Sequence, residues 1–283
     1  MSHWCKAVMN EYPQFNIVGE CWTSSAPQLA YWQGGNANKD GFDSHLPAIM
    51  DFPLHDAMRA GLSESNPGWG QGMTRVYDCL SHDFLYHDLS NMMIFAGNHD
   101  TDRLGDVVGR NPNKTAMALA MLATMRGIPQ VFAGDEMMFV SKDLSQGHGG
   151  LRVDFPGGWD GDKVNLFTPE GREESLSIAA PLHDYARKLF QWRKTKEVIH
   201  NGKTLHFITR DNTYAYFRYN DEEAVFVYIN NSQEAKRIPW DHYSEITQSL
   251  TNGRKVTTGE PITVSKDTYV SAEDALVVEF KRK

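Results

Sequence analysis

The sequence has little cysteine. Its three thiols, Cys5, Cys21 and Cys79, show no metal-ligand spacing. Cys21 lies beside Glu20, yet it reads as a small packing residue on a strand rather than an activated nucleophile. Long apolar runs are missing too, since none approaches the roughly 20 residues that span a bilayer. The amino terminus lacks a basic segment followed by an apolar one, so no signal peptide is visible. Positive charge is in the minority. The 28 Lys and Arg stand against 36 Asp and Glu, a formal net charge of −8. With a pI near 5.7, that balance argues against nucleic acid or an anionic membrane surface as partner. What the sequence does have is apolar side chain, 41% of its 283 residues, ample for the core of one large domain or two.

Two stretches concentrate polar chemistry behind an apolar run. Met92 to Ala96 is a continuous apolar segment suited to a strand buried on both faces. Gly97-Asn98-His99-Asp100-Thr101-Asp102-Arg103 follows at once. Polar groups at the carboxyl end of a buried parallel strand are where α/β folds place chemistry. The plainer alternative is a loop whose Asn and Asp only cap the next turn. Phe15-Asn16-Ile17-Val18-Gly19-Glu20-Cys21-Trp22 repeats the design. A lone Glu at a strand end is usually just solvated. Two such carboxylates facing across a cleft are what glycosidic bond cleavage needs, with Trp22 as a sugar-stacking surface. His99, Asp100 and Asp102 also admit a metal reading, but no second histidine stands at ligand spacing.

Val18-Gly19-Glu20-Cys21-Trp22 and Phe95 to Arg103 resemble two motifs of the α-amylase family of glycoside hydrolases. Met50-Asp51-Phe52-Pro53-Leu54 and Arg152-Val153-Asp154-Phe155-Pro156-Gly157-Gly158-Trp159 resemble further signatures of its neopullulanase and cyclomaltodextrinase branch. The order and spacing of all four fit over essentially the whole chain. The resemblance implies roles. Glu20 matches the general acid/base and Asp100 the carboxylate that stabilises the oxocarbenium-like transition state. His99 matches an imidazole that hydrogen-bonds the sugar, with Asn98 beside it. Arg103 is implied either to steer Asp100 by charge pairing or to bind sugar. Trp22 is a stacking platform, and Asp154 and Trp159 are candidates to line a sugar subsite. Phe155 reads equally well as a packed anchor.

In chain order, Ser2 to Tyr12 reads as an amphipathic helix with Trp4, Cys5, Val8 and Met9 on one face. After the Phe15–Trp22 strand, Ser24 or Ser25 can cap a short helix through Trp32. A strand at Ala48–Met50 leads into a helix from Pro53 through Leu62. Another helical stretch spaces Val76, Leu80 and Phe84. Thr115 to Arg126 is a heavily apolar helix, stopped by Gly127 and Pro129. Ile128 to Ala133 is a strand followed by Gly134-Asp135-Glu136. Residues 141–171 form a long glycine-rich loop of the kind that is usually functional. Pro181 to Lys196 is a clear helix with Arg193 off its apolar face. Beyond Asn201-Gly202 short alternating runs dominate, at Leu205–Thr209, Thr213–Tyr219, Ala224–Asn230, Tyr269–Val270 and Ala275–Phe280. Asp211-Asn212 and Asn252-Gly253 punctuate them as turns.

The expected fold class is therefore α/β. Residues 1–200 would be the second half of a (β/α)8 TIM barrel (strands 5–8), and residues 201–283 an antiparallel β-sandwich. The resemblance places the nucleophilic Asp on a strand ahead of the opening helix, where this sequence has none. Arg152-Val153-Asp154 has the motif's form but lies far downstream and reads as a decoy. The family's calcium ligands would also lie mostly in the missing half, so no cofactor is expected here. The implied function is a portion of a retaining α-glucan hydrolase acting on starch, maltodextrin or pullulan. A non-catalytic carbohydrate-binding remnant, or a structural half-barrel, is the alternative. The implied partners are an α-glucan oligosaccharide and either a second copy or the missing half, covering exposed sheet edges.

Overall fold

The computed structural model describes residues 1–175, 178–264 and 267–283, and of Leu144, Ser175 and Thr251 the backbone only. Four short parallel strands organise the first part. β1 (Val18–Gly19) pairs with β2 (Ala48–Ile49), with Val18 opposite Ala48. Met50 bridges in parallel to Met93, the first residue of β3 (Met93–Phe95). β3 pairs in turn with β4 (Ile128–Gln130). The row therefore runs β1-β2-β3-β4 in chain order. Each strand is shorter than the apolar run that announces it, because the ladder closes only where neighbours overlap. Parallel neighbours need crossover connections and present their carboxyl ends together.

Helices fill the crossovers. α1 (Ser2–Glu11) buries only Cys5, and Trp4, expected on the same apolar face, is exposed. α2 (Ala26–Tyr31) starts after Ser25 with Pro27 in its first turn, but no serine side chain caps it. Ser24 instead donates to the Asp56 carboxylate. α3 (Phe52–Ser63) is capped by Asp51, whose carboxylate accepts from the Leu54 amide at 3.1 Å. α4 (Thr74–Leu80) buries Val76 and Leu80 and stops there. Phe84 is off the helix and exposed. After α5 (Leu104–Val107), α6 (Pro112–Thr124) is capped by Asn111 and buried on nearly every side. The loop at 141–171 has structure of its own, with α7 (His148–Leu151) and the start of α8 (Pro169–Ser175). α9 (Ala179–Arg193) buries Leu182, Ala186 and Leu189, and contrary to the sequence pattern it also buries Arg193. That guanidinium donates to the carbonyls of Ala123 and Gly127 at 2.9 and 2.7 Å, satisfying the end of α6.

Past α10 (Glu197–His200) the chain becomes antiparallel. β5 (Lys203–Arg210), β6 (Thr213–Tyr219), β7 (Glu223–Asn230), β8 (Lys236–Arg237) and a short helix α11 (Ser244–Thr247) come first. β9 (Leu250–Lys255), β10 (Pro261–Ile262), β11 (Tyr269–Val270) and β12 (Asp274–Arg282) follow. Six of them form one sheet in the order β10-β9-β12-β7-β6-β5, while β8 and β11 pair separately. The second layer is thus smaller than a full sandwich sheet. Ile238, Trp240, Tyr243 and Ile246 supply most of it, over Phe217, Phe226 and Phe280. The opposite face carries Tyr214, Tyr216, Val225 and Val227 into the same core as α6 and α9. Asp211 and Asn212, both at positive φ (48° and 57°), make the tight β5–β6 turn. Asn252-Gly253 is not a turn. Gly253 lies inside β9 opposite Phe280, where a Cβ would collide with that ring.

Candidate active site

All four parallel strands deliver a carboxylate just beyond their ends: Glu20 after β1, Asp51 after β2, Asp100 after β3 and Asp135 after β4. Two of these are consumed internally. Asp51 is fully buried, and beyond capping α3 it receives the Arg126 guanidinium at 2.6 Å. Arg126 also holds Asp83 at 2.5 Å, and the two carboxylates keep it firmly charged. Asp135 is buried against Arg103 at 3.1 Å. Its burial outweighs the pull of Arg103 and pushes its carboxyl up to about 7.

Glu20 and Asp100 remain. Glu20 is exposed, directly after Gly19, where any Cβ would strike Leu46. Asp100 is half-buried and surrounded by basic groups. Arg152 donates to its Oδ1 at 2.5 Å and the His148 imidazole lies 3.1 Å from the same oxygen. His99 Nε2 is 3.2 Å from Oδ2. Arg152 first, then His99 and His148, hold this carboxyl below the usual carboxylate range. Arg152 also donates to the His99 carbonyl at 3.1 Å, tying loop 141–171 to the end of β3.

Asn98 sets the shape of the β3 loop. Its side-chain oxygen accepts from the amides of Asp100 and Thr101 at 2.9 and 3.1 Å, a local turn that fixes where Asp100 points. Its buried Nδ2 has no hydrogen-bond partner among the described residues. Arg59 of α3 clamps the same loop from behind, donating to the carbonyls of Ala96 and Asp102 at 3.2 and 2.6 Å. Trp22 is 58% exposed and stacks on Phe52 at 4.9 Å. Phe52 meets Phe95 edge-on at 5.1 Å, so an aromatic path runs from the end of β1 to β3. β1 and β3 are two strand steps apart, about 9–10 Å.

Several expectations change here. Arg103 does not pair with Asp100 and is too buried, at 1% exposure, to meet a sugar. It donates to the carbonyls of Leu151 and Ala133 at 3.1 and 2.7 Å and lies over the Phe132 ring at 3.6 Å. Burial of so large a cation follows from the partners surrounding it. Arg152, set aside as half of a decoy motif, is the partner of Asp100. Asp154 and Trp159 are exposed on the loop, and no hydrogen bond or ring contact among the described residues joins them to Glu20 or Asp100. Phe155 packs between Phe139 and Phe167 as an anchor. Sequence reasoning missed Arg59, His148 and Asp135, for no local pattern marks a residue whose partner is far along the chain. Among the described residues no group of three or more His, Cys, Asp or Glu side chains is placed to hold a metal ion.

Parallel strands with carboxylates beyond their carboxyl ends, followed by an antiparallel β sheet, are the architecture of an α-amylase-type fold. The sequence matches the α-amylase catalytic domain over residues 1–239 and the cyclomaltodextrinase C-terminal domain over 204–279. The chain belongs to the α-amylase family of glycoside hydrolases. It is 25% identical over 238 residues to a cyclomaltodextrinase of Geobacillus thermopakistaniensis, covering 83% of this chain and 34% of that protein. It is 25% identical over 281 residues to a maltogenic α-amylase of Bacillus acidopullulyticus, covering 95% and 40%. An Anoxybacillus α-amylase crystal structure superposes with a TM-score of 0.75 at 17% identity, over 100% of this chain and 56% of the other. The chain thus spans well under half the length of these two curated relatives.

Proposed function

We infer that these residues carry the proton-donating half of an α-glucan hydrolase site. Glu20 protonates the leaving glycosidic oxygen and later deprotonates water. Asp100, kept ionised by Arg152, His99 and His148, stabilises positive charge developing on the sugar ring. Trp22 stacks against a glucose unit. The exposed His99 imidazole supplies hydrogen bonds to sugar hydroxyls, while Asn98, itself buried, accepts from the Asp100 amide and so shapes the loop that carries both. Asp154 and Trp159 line a more distant subsite when the loop meets a longer chain. No cofactor takes part. The observation that carries this reading is the sorting of the four strand-end carboxylates, with two locked to buried arginines and two left accessible at the same end.

Neither of the two locked carboxylates is free to attack the sugar. Asp51 and Asp135 are buried and paired, and a retaining enzyme needs its nucleophile roughly 5–5.5 Å from the acid. On this reading the parallel row is the second half of a barrel, and the nucleophile comes from a strand outside these 283 residues. A second reading, a half-barrel that works only with a partner chain, is favoured by its outer strands. Val18 of β1 is 42% exposed and Ile128 of β4 is 45% exposed, as suits edges that a second copy or the complementary half would cover.

The test is to titrate maltoheptaose against the chain and assay amylose, pullulan and cyclodextrin turnover. Binding weakened by Trp22→Ala is expected, with turnover at least on the order of 10⁴-fold below that of an intact relative. Adding the complementary half-barrel should restore turnover that Glu20→Gln abolishes. Robust turnover by the chain alone would refute the missing nucleophile. No glucan binding would refute the substrate class.

A further inference from the structure

Trp69 is the most exposed aromatic side chain among the described residues, at 104% of its reference area. An indole left wholly in water gives up the apolar burial that usually justifies its size. Looseness of the loop does not explain it. Gln71 Oε1 accepts from the Gly68 amide at 2.7 Å, closing the turn that presents Trp69. Glu64 accepts from the Gly72 amide at 2.6 Å and pairs with Arg75 through both carboxylate oxygens. Asn212, from the β5–β6 turn, accepts from the Met73 amide at 3.0 Å and donates to the Glu64 carbonyl at 2.9 Å. Thr74 and Thr209 hydroxyls meet at 2.7 Å. The backbone on either side of Trp69 is thus braced, and its indole projects from it into solvent.

It stands on the wall of a groove of about 650 Å³ between the loop at 65–71, the β5–β6 turn and residues 232–236. None of the lining residues belongs to the site at the ends of β1 and β3. Asn66, Arg210, Asp211 and Gln233 line it with exposed side chains, so amide, guanidinium and carboxylate groups sit near one flat apolar ring. The charges balance, Arg210 and Lys236 against Asp211 and Glu234. That balance disfavours an ion of either sign. A flat aromatic face with dispersed donors and acceptors and no net charge suits a neutral polyhydroxylated ring. Such a ring lays its C–H face on the indole and hydrogen-bonds at its rim.

We propose that this groove is a second, non-catalytic binding site for a neutral oligosaccharide, with Trp69 as its stacking platform. That the saccharide is an α-1,4-glucan rests on the function inferred above. In that setting the groove tethers the polymer while the other site acts on it.

The test uses the 283-residue chain, calorimetric titration with maltoheptaose and with cellohexaose, and the variants Trp69→Ala, Trp22→Ala and the double variant. Because Trp69 is wholly exposed, Trp69→Ala should leave the unfolding midpoint within about 2 °C of the parent. The parent should bind maltoheptaose at two independent classes of site. Trp69→Ala should weaken one class about tenfold or more, and Trp22→Ala should leave that class intact. An isotherm for Trp69→Ala that superposes on the parent overturns the proposal while the glucan reading stands. Saccharide binding lost only with Trp69, and for cellohexaose rather than maltoheptaose, upholds the groove and refutes the glucan reading. A parent that self-associates through Trp69 and binds neither saccharide there overturns the proposal in favour of a contact between copies.

Discussion

Replacing Arg103 by Met tests how this site is held in shape. Arg103 and Asp135 have side chains only 1% and 4% exposed. Methionine fills much of the same volume, so the chief loss is electrostatic. Asp135 would remain buried without its cation, and the carbonyls of Leu151 and Ala133 would lose a donor. Breaking a buried pair on one side costs about 3–5 kcal/mol, which for a domain of this size lowers the midpoint by roughly 6–20 °C. The pH dependence has a definite sign. Burial already raises the Asp135 carboxyl to about 7, well above its value in an unfolded chain. Stability tied to the protonated form is present in acid and lost as pH rises from about 4 through about 7. Removing Arg103 raises that carboxyl further. The pH-dependent part of the Arg103→Met deficit should therefore be nearly absent at pH 5 and grow by about 1.4 kcal/mol per pH unit above about 7, and Asp135→Asn in the same chain should remove it. Urea unfolding followed by circular dichroism at both pH values decides the matter. A deficit below about 1 kcal/mol at pH 8, or one equal at both pH values, would refute the reasoning.

Two other perturbations probe neighbouring links. Arg152→Gln removes the chief group holding the Asp100 carboxyl down, so its titration midpoint should move up toward the ordinary range. Carboxyl NMR reads this directly, and an unmoved midpoint would show that the Arg152 contact has no electrostatic effect. Arg126→Met strands Asp51 in the core and leaves Asp83 beside it. Denaturant unfolding should show a loss of about 3–5 kcal/mol, and a loss under about 1 kcal/mol would mean that solvent reaches Asp51.

How much of this was legible in the sequence depended on how local the cause was. The apolar run from Met92 to Ala96 and the carboxylates that follow Val18-Gly19 and Phe95 mark the strand ends, because burial and a polar stop are both written within a few residues. The Asp51 cap went unread, although a carboxylate two residues ahead of a proline in the first turn is a local signal of the same kind. The place of Arg103 was not legible. Its charge suggested Asp100, three residues away, whereas its partner Asp135 is brought in by β4. Arg193 reads as a solvent-facing cation by helical period, yet the unsatisfied carbonyls at the end of α6 draw it inward. Asn252-Gly253 is a strong turn signal overridden by the Phe280 ring on the adjacent strand. Arg152-Val153-Asp154 was noticed for the wrong chemistry, since nothing in the linear order shows that its guanidinium returns to β3.

The sheet built from residues 203–282 shares its core with helices that precede it. Tyr216 reaches Thr124 of α6 at 2.5 Å, and Trp192 of α9 donates to Glu279 of β12 at 2.9 Å. A protease that cut the connection at Asn201 or Gly202 would therefore release neither fragment. The nicked protein would keep its shape as a non-covalent pair, with the sheet as one wall of the core that α6 and α9 fill.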